Sequence, residues 1–442
     1  MRVVVLGGGI AGESFVSALA RHETGAEVTL VERELVGGEC SYWACIPSKT
    51  LLRPLEIVAR ARRAPGAREA VGSVNPENVF GWRDGVSEKD DASQVKFVSG
   101  KGAEVVKGEG VVAEPGLVRV GERELPYDHL VIATGSSSAT PPIEGLEDVE
   151  HWTSREATAT SEVPERLVVV GGGAVGCELS QFFARIGSQV TLIQAGASLL
   201  DRIDAEAGAL LAEVLAEEGV DVRVDTRPTA VESAGGVVRL TCEGADEAIE
   251  GTQLLVATGR KPRSDGFGFE HLGVTIERGA VQVDDHLRAA DGVWACGDVT
   301  GVSLFTHVGK YQARIAAENI AGGDHAADYR AIPASVFTDP QIASVGDTSG
   351  KDAVTSKYSI EHVSRASTFA DPKEPGFVKL FASRERGVLV GAVCVGPEAG
   401  EWLGQLTLAV RAEVPVETLR DTIQPFPTFS EAIFFAARDL EL

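Results

Sequence analysis

The sequence predicts an α/β protein built around two strand-turn-helix units with glycine-rich turns. In "VVVLGGGIAGESFVSALA" a β-rich run precedes the glycines, and a helical pattern of small and apolar residues follows. The segment "RLVVVGGGAVGCELSQFFARIGSQVTLIQ" repeats this order. A chain of 442 residues with 44% hydrophobic residues is long enough for two or three domains. Two of them are predicted to be Rossmann-like.

The first glycine turn has the GxGxxG spacing of a dinucleotide site. Gly7 permits the tight turn, Gly9 lets the backbone approach a pyrophosphate, and Gly12 lets the helix pack on the strand. The next strand, "AEVTLVE", ends at Glu32, about 20 residues further on, where a carboxylate can bind ribose hydroxyls. We therefore expect dinucleotide phosphates at the N-terminus of this helix.

The second turn repeats the spacing with Gly171, Gly173 and Gly176. Here the following strand ends at Gln194, where an NADH site usually carries an acid. The sequence does not decide between NADH and NADPH as the nicotinamide cofactor. The missing carboxylate favours NADPH slightly, with Arg202 as a distant partner for a 2′-phosphate.

Charge and hydropathy exclude several kinds of partner. A net charge of -24 opposes nucleic acid and anionic membranes. No apolar stretch is long enough for a membrane span, and "MRVVVLGGG" lacks the pattern of a signal peptide. We expect a cytoplasmic protein.

The segment "GGECSYWACIPSK" holds Cys40 and Cys45. A permanent bridge is disfavoured, because a reducing compartment opposes it and its small loop would remove little unfolded-state entropy. A metal site is weaker still, and we predict none, since the other four cysteines are scattered singly. A redox role for the pair remains.

The order of motifs resembles the flavoprotein disulfide reductases, which include dihydrolipoyl dehydrogenase, glutathione reductase and mercuric reductase. That order is the first glycine turn, CxxxxC with "IPSK", "LVIATGS", the second glycine turn, "LLVATGRKP" and "VWACGDV". The resemblance implies an NAD(P)H-dependent FAD oxidoreductase, with FAD and either NADPH or NADH as cofactors. It also implies a small-molecule electron acceptor and a homodimer.

The family architecture implies three domains in this chain. Residues 1–150 and 265–330 would form the FAD-binding domain, and residues 151–264 the NAD(P)-binding domain. Residues 331–442 would form an α+β interface domain that makes a twofold dimer.

Catalytic roles follow from the same resemblance. Cys45 would lie against the flavin as the charge-transfer thiolate, and Cys40 would be the interchange thiol that meets the acceptor. On a helical stretch the two sulfurs would lie about one turn apart. Lys49 would approach the flavin and pair with Glu178, because a buried lysine needs such a partner.

Further cofactor contacts are implied around the flavin and the adenine. Asp298 in "CGDV" resembles the ligand of the ribityl chain, and Thr306 and His307 in "FTHVG" match backbone contacts around the isoalloxazine. Gly110 in "KGEG" matches the position whose backbone meets the adenine. In "LVIATGS" and "LLVATGRKP" the cofactor-binding positions are Thr134, Gly135 and Gly259.

The segment "QPFPTFSEA" departs from the family. Disulfide-reducing members carry a histidine where this chain has Phe426, while Pro427 and Glu431 are retained. Phenylalanine cannot shuttle a proton, and losing acid-base help typically costs about 10²–10⁴ in rate. The vicinal cysteine pair that mercuric reductases use is also missing, which disfavours mercury reduction.

Tyr42 and Trp43, between the two cysteines, are a second departure. Together with Phe426 and Phe429 they would offer a stacking surface for a quinone; alternatively, Tyr42 and Trp43 pack in the core.

Three functions follow from these features. The first is the oxidoreductase above, with an acceptor other than a small disulfide, such as a quinone. The second is a dihydrolipoyl-type dehydrogenase with a substitute proton donor. The third is a flavin-bound redox sensor, against which the two intact nucleotide motifs argue.

Overall fold

The computed structural model describes residues 1–442, with 25 strands and 13 α-helices. The strands are β1 (Arg2–Leu6), β2 (Glu27–Glu32), β3 (Ala103–Lys107), β4 (Gly110–Glu114), β5 (Leu117–Val120), β6 (Arg123–Pro126), β7 (His129–Ile132), β8 (Ser136–Ser138), β9 (Arg166–Val170), β10 (Gln189–Ile193), β11 (Asp221–Arg223), β12 (Pro228–Ala234), β13 (Val237–Cys242), β14 (Ile249–Gly251), β15 (Gln253–Val256), β16 (Arg260–Pro262), β17 (Ile276–Glu277), β18 (Ala280–Val281), β19 (Arg288–Ala290), β20 (Val293–Ala295), β21 (Pro333–Val336), β22 (Gln341–Gly346), β23 (Ala353–Ser359), β24 (Phe377–Ser383) and β25 (Val388–Gly396).

The helices are α1 (Ile10–Leu19), α2 (Gly38–Tyr42), α3 (Cys45–Arg62), α4 (Pro76–Val86), α5 (Ala92–Ser99), α6 (Ser154–Ala159), α7 (Ala174–Ile186), α8 (Ala205–Glu217), α9 (Thr306–Ile320), α10 (Ser364–Phe369), α11 (Ala399–Arg411), α12 (Val416–Asp421) and α13 (Glu431–Arg438). None of the thirteen combines the length and the apolar character that crossing a bilayer requires.

One compact unit consists of Met1–Pro47, Asp84–Ala139 and Gly259–Asp328. Its six-stranded sheet has the order β19-β20-β7-β1-β2-β3, and β1 is parallel to both β2 and β7. The apolar runs of β1 and β7 are almost fully buried, which is typical of parallel strands covered on both faces. Helices α1 and α9 pack against each other in this unit. The sheet therefore carries the first glycine turn at the end of a central strand.

A second compact unit consists of Ser48–Arg83, Thr140–Thr258 and Tyr329–Leu442. It contains a parallel sheet of order β11-β10-β9-β15, with the second glycine turn between β9 and α7. It also contains an antiparallel sheet of order β21-β22-β25-β24-β23, accompanied by α11, α12 and α13. The predicted fold class is thus confirmed: α/β, with two Rossmann-like folds and a C-terminal α+β part.

Candidate active site

The first glycine turn joins β1 to α1 in the shape that a dinucleotide requires. Gly7 has φ of +108°, and a Cβ there would lie 2.2 Å from the carbonyl oxygen of Ala133. A Cβ on Gly12 would lie 2.1 Å from the carbonyl oxygen of Gly7. At the start of α1, Gly9 faces open space and no side chain caps the helix. The first-turn N–H groups are thus available to phosphate oxygens, and this turn fits the FAD that the motifs imply.

Glu32 ties this turn to the end of β2. Its two carboxylate oxygens accept hydrogen bonds from the backbone N–H groups of Gly8 and Glu34, each at 2.7 Å. The carboxylate therefore lies at the glycine turn. Its predicted contact with a ribose stays a prediction.

The second turn, between β9 and α7, has the same construction. Gly171 has φ of +115°, and a Cβ on Gly176 would lie 1.8 Å from the carbonyl oxygen of Gly171. Gly173 begins α7 without a side-chain cap and faces open space. The Gly172 N–H donates to Oε1 of Gln194 at 3.0 Å, as Gly8 does to Glu32 in the first turn. Gln194 therefore accepts the hydrogen bond that an acid would accept at this position, but it carries no negative charge.

Cys40 and Cys45 lie on two separate helices. Cys40 is in α2 and Cys45 begins α3, so the predicted continuous helical stretch is wrong: the helix breaks between Tyr42 and Cys45. Both cysteines are free thiols. The hydroxyl of Thr306, at the start of α9, donates to the sulfur of Cys40 at 3.2 Å and lies 3.4 Å from the sulfur of Cys45. One hydroxyl therefore contacts both sulfurs.

The surroundings of Cys40 favour its protonated form. Hydrogen bonding to Cys45, followed by burial, raises the pKa of Cys40 far above its ordinary value, while Thr306 and Lys310 act in the opposite direction. Hydrogen bonding and burial thus both oppose ionisation of Cys40.

Lys49 and Glu178 are brought together in the second unit, although 129 positions separate them. The Lys49 ammonium is 2.7 Å from Oε2 of Glu178, and Oε1 accepts the backbone N–H of Phe337 at 2.9 Å. The ammonium also lies 4.7 Å from the centre of the Phe337 ring. Lys49 lies one turn beyond Cys45 on α3, so one helix holds both of these predicted site residues.

Asp298 lies in a polar cluster of the first unit. Its carboxylate accepts a hydrogen bond from the Ser136 hydroxyl. Arg260 donates to the side-chain and backbone oxygens of Ser136 at 2.7 and 3.0 Å, because β8 and β16 pair antiparallel. Thr134 donates to the backbone carbonyl of Arg263. Ser136 and Arg260 were not predicted as site residues, although both lie within motifs that the sequence analysis identified, "LVIATGS" and "LLVATGRKP".

The remaining predicted positions are mainly backbone features. Gly135 and Gly259 have φ of +73° and +133°, which only glycine adopts easily, and both face open space. Gly110 begins β4, where a Cβ would lie 2.6 Å from the Leu6 side chain. His307 follows Thr306 on α9, and its ring stacks on Phe305.

The aromatic residues of the redox segment do not form a stacking surface. Tyr42 and Trp43 are both buried, and Tyr42 donates to the backbone carbonyl of Val36 at 3.0 Å. Phe429 is buried in the second unit against Phe369, whereas Phe426 is 73% exposed. Tyr42 and Trp43 therefore pack in the core, as the alternative interpretation predicted. They are not available to the stacking surface that was predicted for a quinone. The Phe426–Pro427 bond is cis.

Comparison with known proteins gives consistent matches over almost the whole chain. Residues 1–319 match the family model described as pyridine nucleotide-disulphide oxidoreductase, and residues 332–437 match the dimerisation domain of that family. A mercuric reductase from Staphylococcus aureus is 33% identical over 98% of this chain and 81% of its own length. A dihydrolipoyl dehydrogenase from Thermus scotoductus is 35% identical over 99% of this chain and 97% of its own.

A solved structure extends the match to three dimensions. The Cu(II) complex of the HOCl-induced flavoprotein disulfide reductase RclA from Escherichia coli superposes with a TM-score of 0.87 at 26% identity, over 99% of this chain and 100% of that one. The predicted family, enzyme class and cofactors are confirmed by these matches. The chain belongs to the pyridine nucleotide-disulphide oxidoreductases, enzymes that depend on FAD and use NAD(P)H.

Proposed function

We propose that Cys40 and Cys45 form the thiol–disulfide couple of this oxidoreductase and pass electrons to an acceptor other than a small disulfide. The single observation that carries the proposal is the Thr306 hydroxyl in contact with both sulfurs. A structural or inert cysteine pair needs no shared donor at a helix start. Bound FAD would supply the two-electron exchange between the nicotinamide and this pair.

The cofactor sites follow from the geometry of the two turns. FAD would be held by the turn of Gly7, Gly9 and Gly12, where the N-terminus of α1 is open, with Asp298 in the polar cluster of the same unit. The nicotinamide dinucleotide would be held by the equivalent turn before α7. At that turn Gln194 offers no negative charge to repel a 2′-phosphate, so we propose a preference for NADPH.

Electrons and protons balance on the two sulfurs. Breaking the S–S bond to give one thiol and one thiolate takes two electrons and one proton, which the nicotinamide would supply. The raised pKa of Cys40 supports a thiol there, because hydrogen bonding to Cys45 and burial both oppose its ionisation. Cys45 then holds the thiolate. When the S–S bond forms again, two electrons leave to the acceptor and one proton leaves Cys40.

The acceptor is proposed to be a redox-active metal ion. Phe426 stands where disulfide-reducing members carry a histidine, and its ring cannot protonate a leaving thiolate. A metal ion needs no such proton: two Cu(II) ions would take one electron each and leave as Cu(I). Mercury(II) is less suitable, because the other cysteines are buried and cannot form a second accessible thiol pair. Those cysteines are Cys177, Cys242, Cys296 and Cys394.

The first experiment is an anaerobic titration of the purified FAD-bound protein with NADPH and, separately, NADH, followed by its visible spectrum. A long-wavelength absorbance that appears at two electrons, and is lost in Cys45→Ser, would support the couple. Reoxidation by Cu(II) should then be faster than by lipoamide or glutathione disulfide. Bleaching without the long-wavelength band would overturn the cysteine relay.

A dihydrolipoyl-type activity is the second candidate. It is favoured by the match to the Thermus scotoductus enzyme and by Glu431, whose carboxylate accepts the Thr428 N–H at 3.2 Å. Phe426→His tests it: lipoamide turnover should rise by at least tenfold if the missing histidine is the obstacle, within the typical range of about 10²–10⁴ for acid-base catalysis. Unchanged turnover would show that a missing base is not the obstacle, whereas lipoamide turnover of the unmodified protein no higher than that of free flavin would remove this candidate.

We further propose that the enzyme is a homodimer. Residues 332–437 match the family's dimerisation domain, and within them the apolar side chains of Ile423 and Phe426 are 94% and 73% exposed. Light scattering after size-exclusion chromatography would give the mass of two chains if these side chains are covered by a second copy.

A further inference from the structure

Glu13 is a half-buried acid beside the first glycine turn. It follows Gly12 on α1, and its Oε1 is fully buried without a hydrogen-bond partner. Burial raises the pKa of Glu13 to about 7, and Lys310 is the one charge that acts against this shift. Glu13 therefore changes its charge near neutral pH.

Lys310 links Glu13 to the cysteine pair. It lies on α9, one turn beyond Thr306, whose hydroxyl contacts both sulfurs. Helices α1 and α9 are in close contact here, since a Cβ on Gly309 would lie 3.5 Å from the Cβ of Ala11. The ammonium of Lys310 acts electrostatically on Glu13 and also on Cys40, where it lowers the pKa. One lysine is thus shared by an acid and a thiol.

We propose that Glu13 and Lys310 form a charge pair that sets the thiolate fraction of Cys40, with Glu13 as a positioning residue that acts through Lys310. The inference deepens the proposed function, because it assumes that Cys40 is the thiol of the redox couple. When Glu13 is protonated, the full charge of Lys310 stabilises the Cys40 thiolate. When Glu13 is ionised, its carboxylate offsets that charge and favours the Cys40 thiol.

The other groups near Glu13 do not compete for this role. Tyr42, on α2, is affected by Glu13 and by Asp90 and Asp91, and its pKa is raised to about 12, mainly by burial, so it stays neutral. No charged group of β2 or α5, which also pack on α1, shifts the pKa of Glu13. As pH rises through 7, Glu13 ionises, and its negative charge then favours the protonated form of Cys40.

The test measures the thiolate of Cys40 directly. In FAD-bound protein carrying Cys45→Ser, Cys40 is the accessible cysteine, because the other four are buried. The rate of alkylation by iodoacetamide, measured from pH 6 to 10, reports the thiolate fraction. At pH 8, adding Glu13→Gln should raise the rate and Lys310→Met should lower it, each by about three- to tenfold, or half to one pKa unit.

The double variant separates a coupled pair from two independent effects. Because Glu13 is proposed to act through the charge of Lys310, Glu13→Gln should have no effect on the alkylation rate in the Lys310→Met background. Lys310→Arg should restore the original rate, which a packing defect would not allow. Equal rates for Glu13→Gln and its parent, or the same Glu13→Gln effect with and without Lys310, would overturn the inference.

Failure of the proposed relay is distinguishable from failure of this inference. The relay is tested by the long-wavelength band in protein that retains Cys45. A band without a Glu13 effect on alkylation would refute the charge pair alone. A Glu13 effect without the band would leave the charge pair as a property of Cys40 and refute the relay.

Discussion

Replacing Lys49 with methionine should destabilise the protein by stranding the carboxylate of Glu178. The side chain of Glu178 is 5% exposed, and without Lys49 it keeps only the N–H of Phe337 as a partner. Removing one member of a fully buried pair costs about 3–5 kcal/mol, and an exposed pair contributes about 0–1 kcal/mol. Because Lys49 is 35% exposed, we expect an intermediate loss of about 2 kcal/mol.

The assay is equilibrium urea unfolding of the FAD-bound protein, with Glu178→Gln as the second arm of a double-mutant cycle. The amide of Gln can still accept from the Phe337 N–H, so Lys49→Met combined with Glu178→Gln should recover about 1 kcal/mol of the single-variant loss. Arg53→Met is the matched control on the same helix. Arg53 pairs with Glu56 at 2.8 Å but is 47% exposed, so its loss should stay below about 0.5 kcal/mol.

Additivity would refute this account of the pair. If the effects of Lys49→Met and Glu178→Gln sum to that of the double variant within about 0.5 kcal/mol, the two side chains do not depend on each other. A loss for Arg53→Met equal to that for Lys49→Met would have the same meaning, because it would show a general sensitivity of α3.

Three further variants test other parts of the site. Asp339→Asn removes the buried carboxylate that Arg63 and Arg185 share. Each arginine keeps another carboxylate partner, Glu374 or Glu218, so the cost in urea unfolding should be about 2 kcal/mol, between the values for exposed and fully buried pairs. Burial by itself raises the pKa of Asp339, but the arginines lower it below its ordinary value. The stabilisation is therefore present above about pH 4 and lost as pH falls through the lower folded-state pKa, and Asp339→Asn should remove this acid dependence. Gly12→Ala should lose bound FAD, measured by absorbance, whereas Gly72→Ala, in open space, should retain it. Gln194→Glu should lower kcat/KM for NADPH relative to NADH by at least tenfold, and an unchanged ratio would contradict the role given to Gln194.

Local chemistry explains why the nucleotide turns were predictable. The three glycines of each GxGxxG motif lie within six residues. The first of each motif has a positive φ, and a Cβ on the third would clash with the carbonyl oxygen of the first, whereas the middle glycine faces open space at the helix start. The positions of Glu32 and Gln194 were also predictable, because the sequence shows where the strand after each glycine turn ends. Each side chain accepts the N–H of the residue between the first two motif glycines, Gly8 or Gly172, and only the structure shows these hydrogen bonds.

Long-range contacts explain what the sequence could not supply. The approach of Lys49 to Glu178 came from resemblance, since no local pattern joins residues 129 positions apart. Thr306 was expected to act through its backbone, but its hydroxyl contacts Cys40, 266 positions away. Tyr42 and Trp43 are ambiguous in sequence because large rings suit both a core and a binding surface, and only packing decides between them.

Under the proposed function, phenylalanine at position 426 would leave the proton chemistry to the surroundings of the cysteines. A disulfide acceptor must receive a proton as its thiolate leaves, and an exposed phenylalanine cannot give one. A metal ion imposes a smaller demand, because only the proton on Cys40 has to leave as the S–S bond forms. The groups that we propose to govern this proton are Thr306, Lys310 and, through Lys310, Glu13, all in the same compact unit as Cys40. On this proposal, an enzyme that passes electrons to a metal ion loses little without the histidine, whereas one that cleaves small disulfides without a substitute donor would be slowed by about 10²–10⁴.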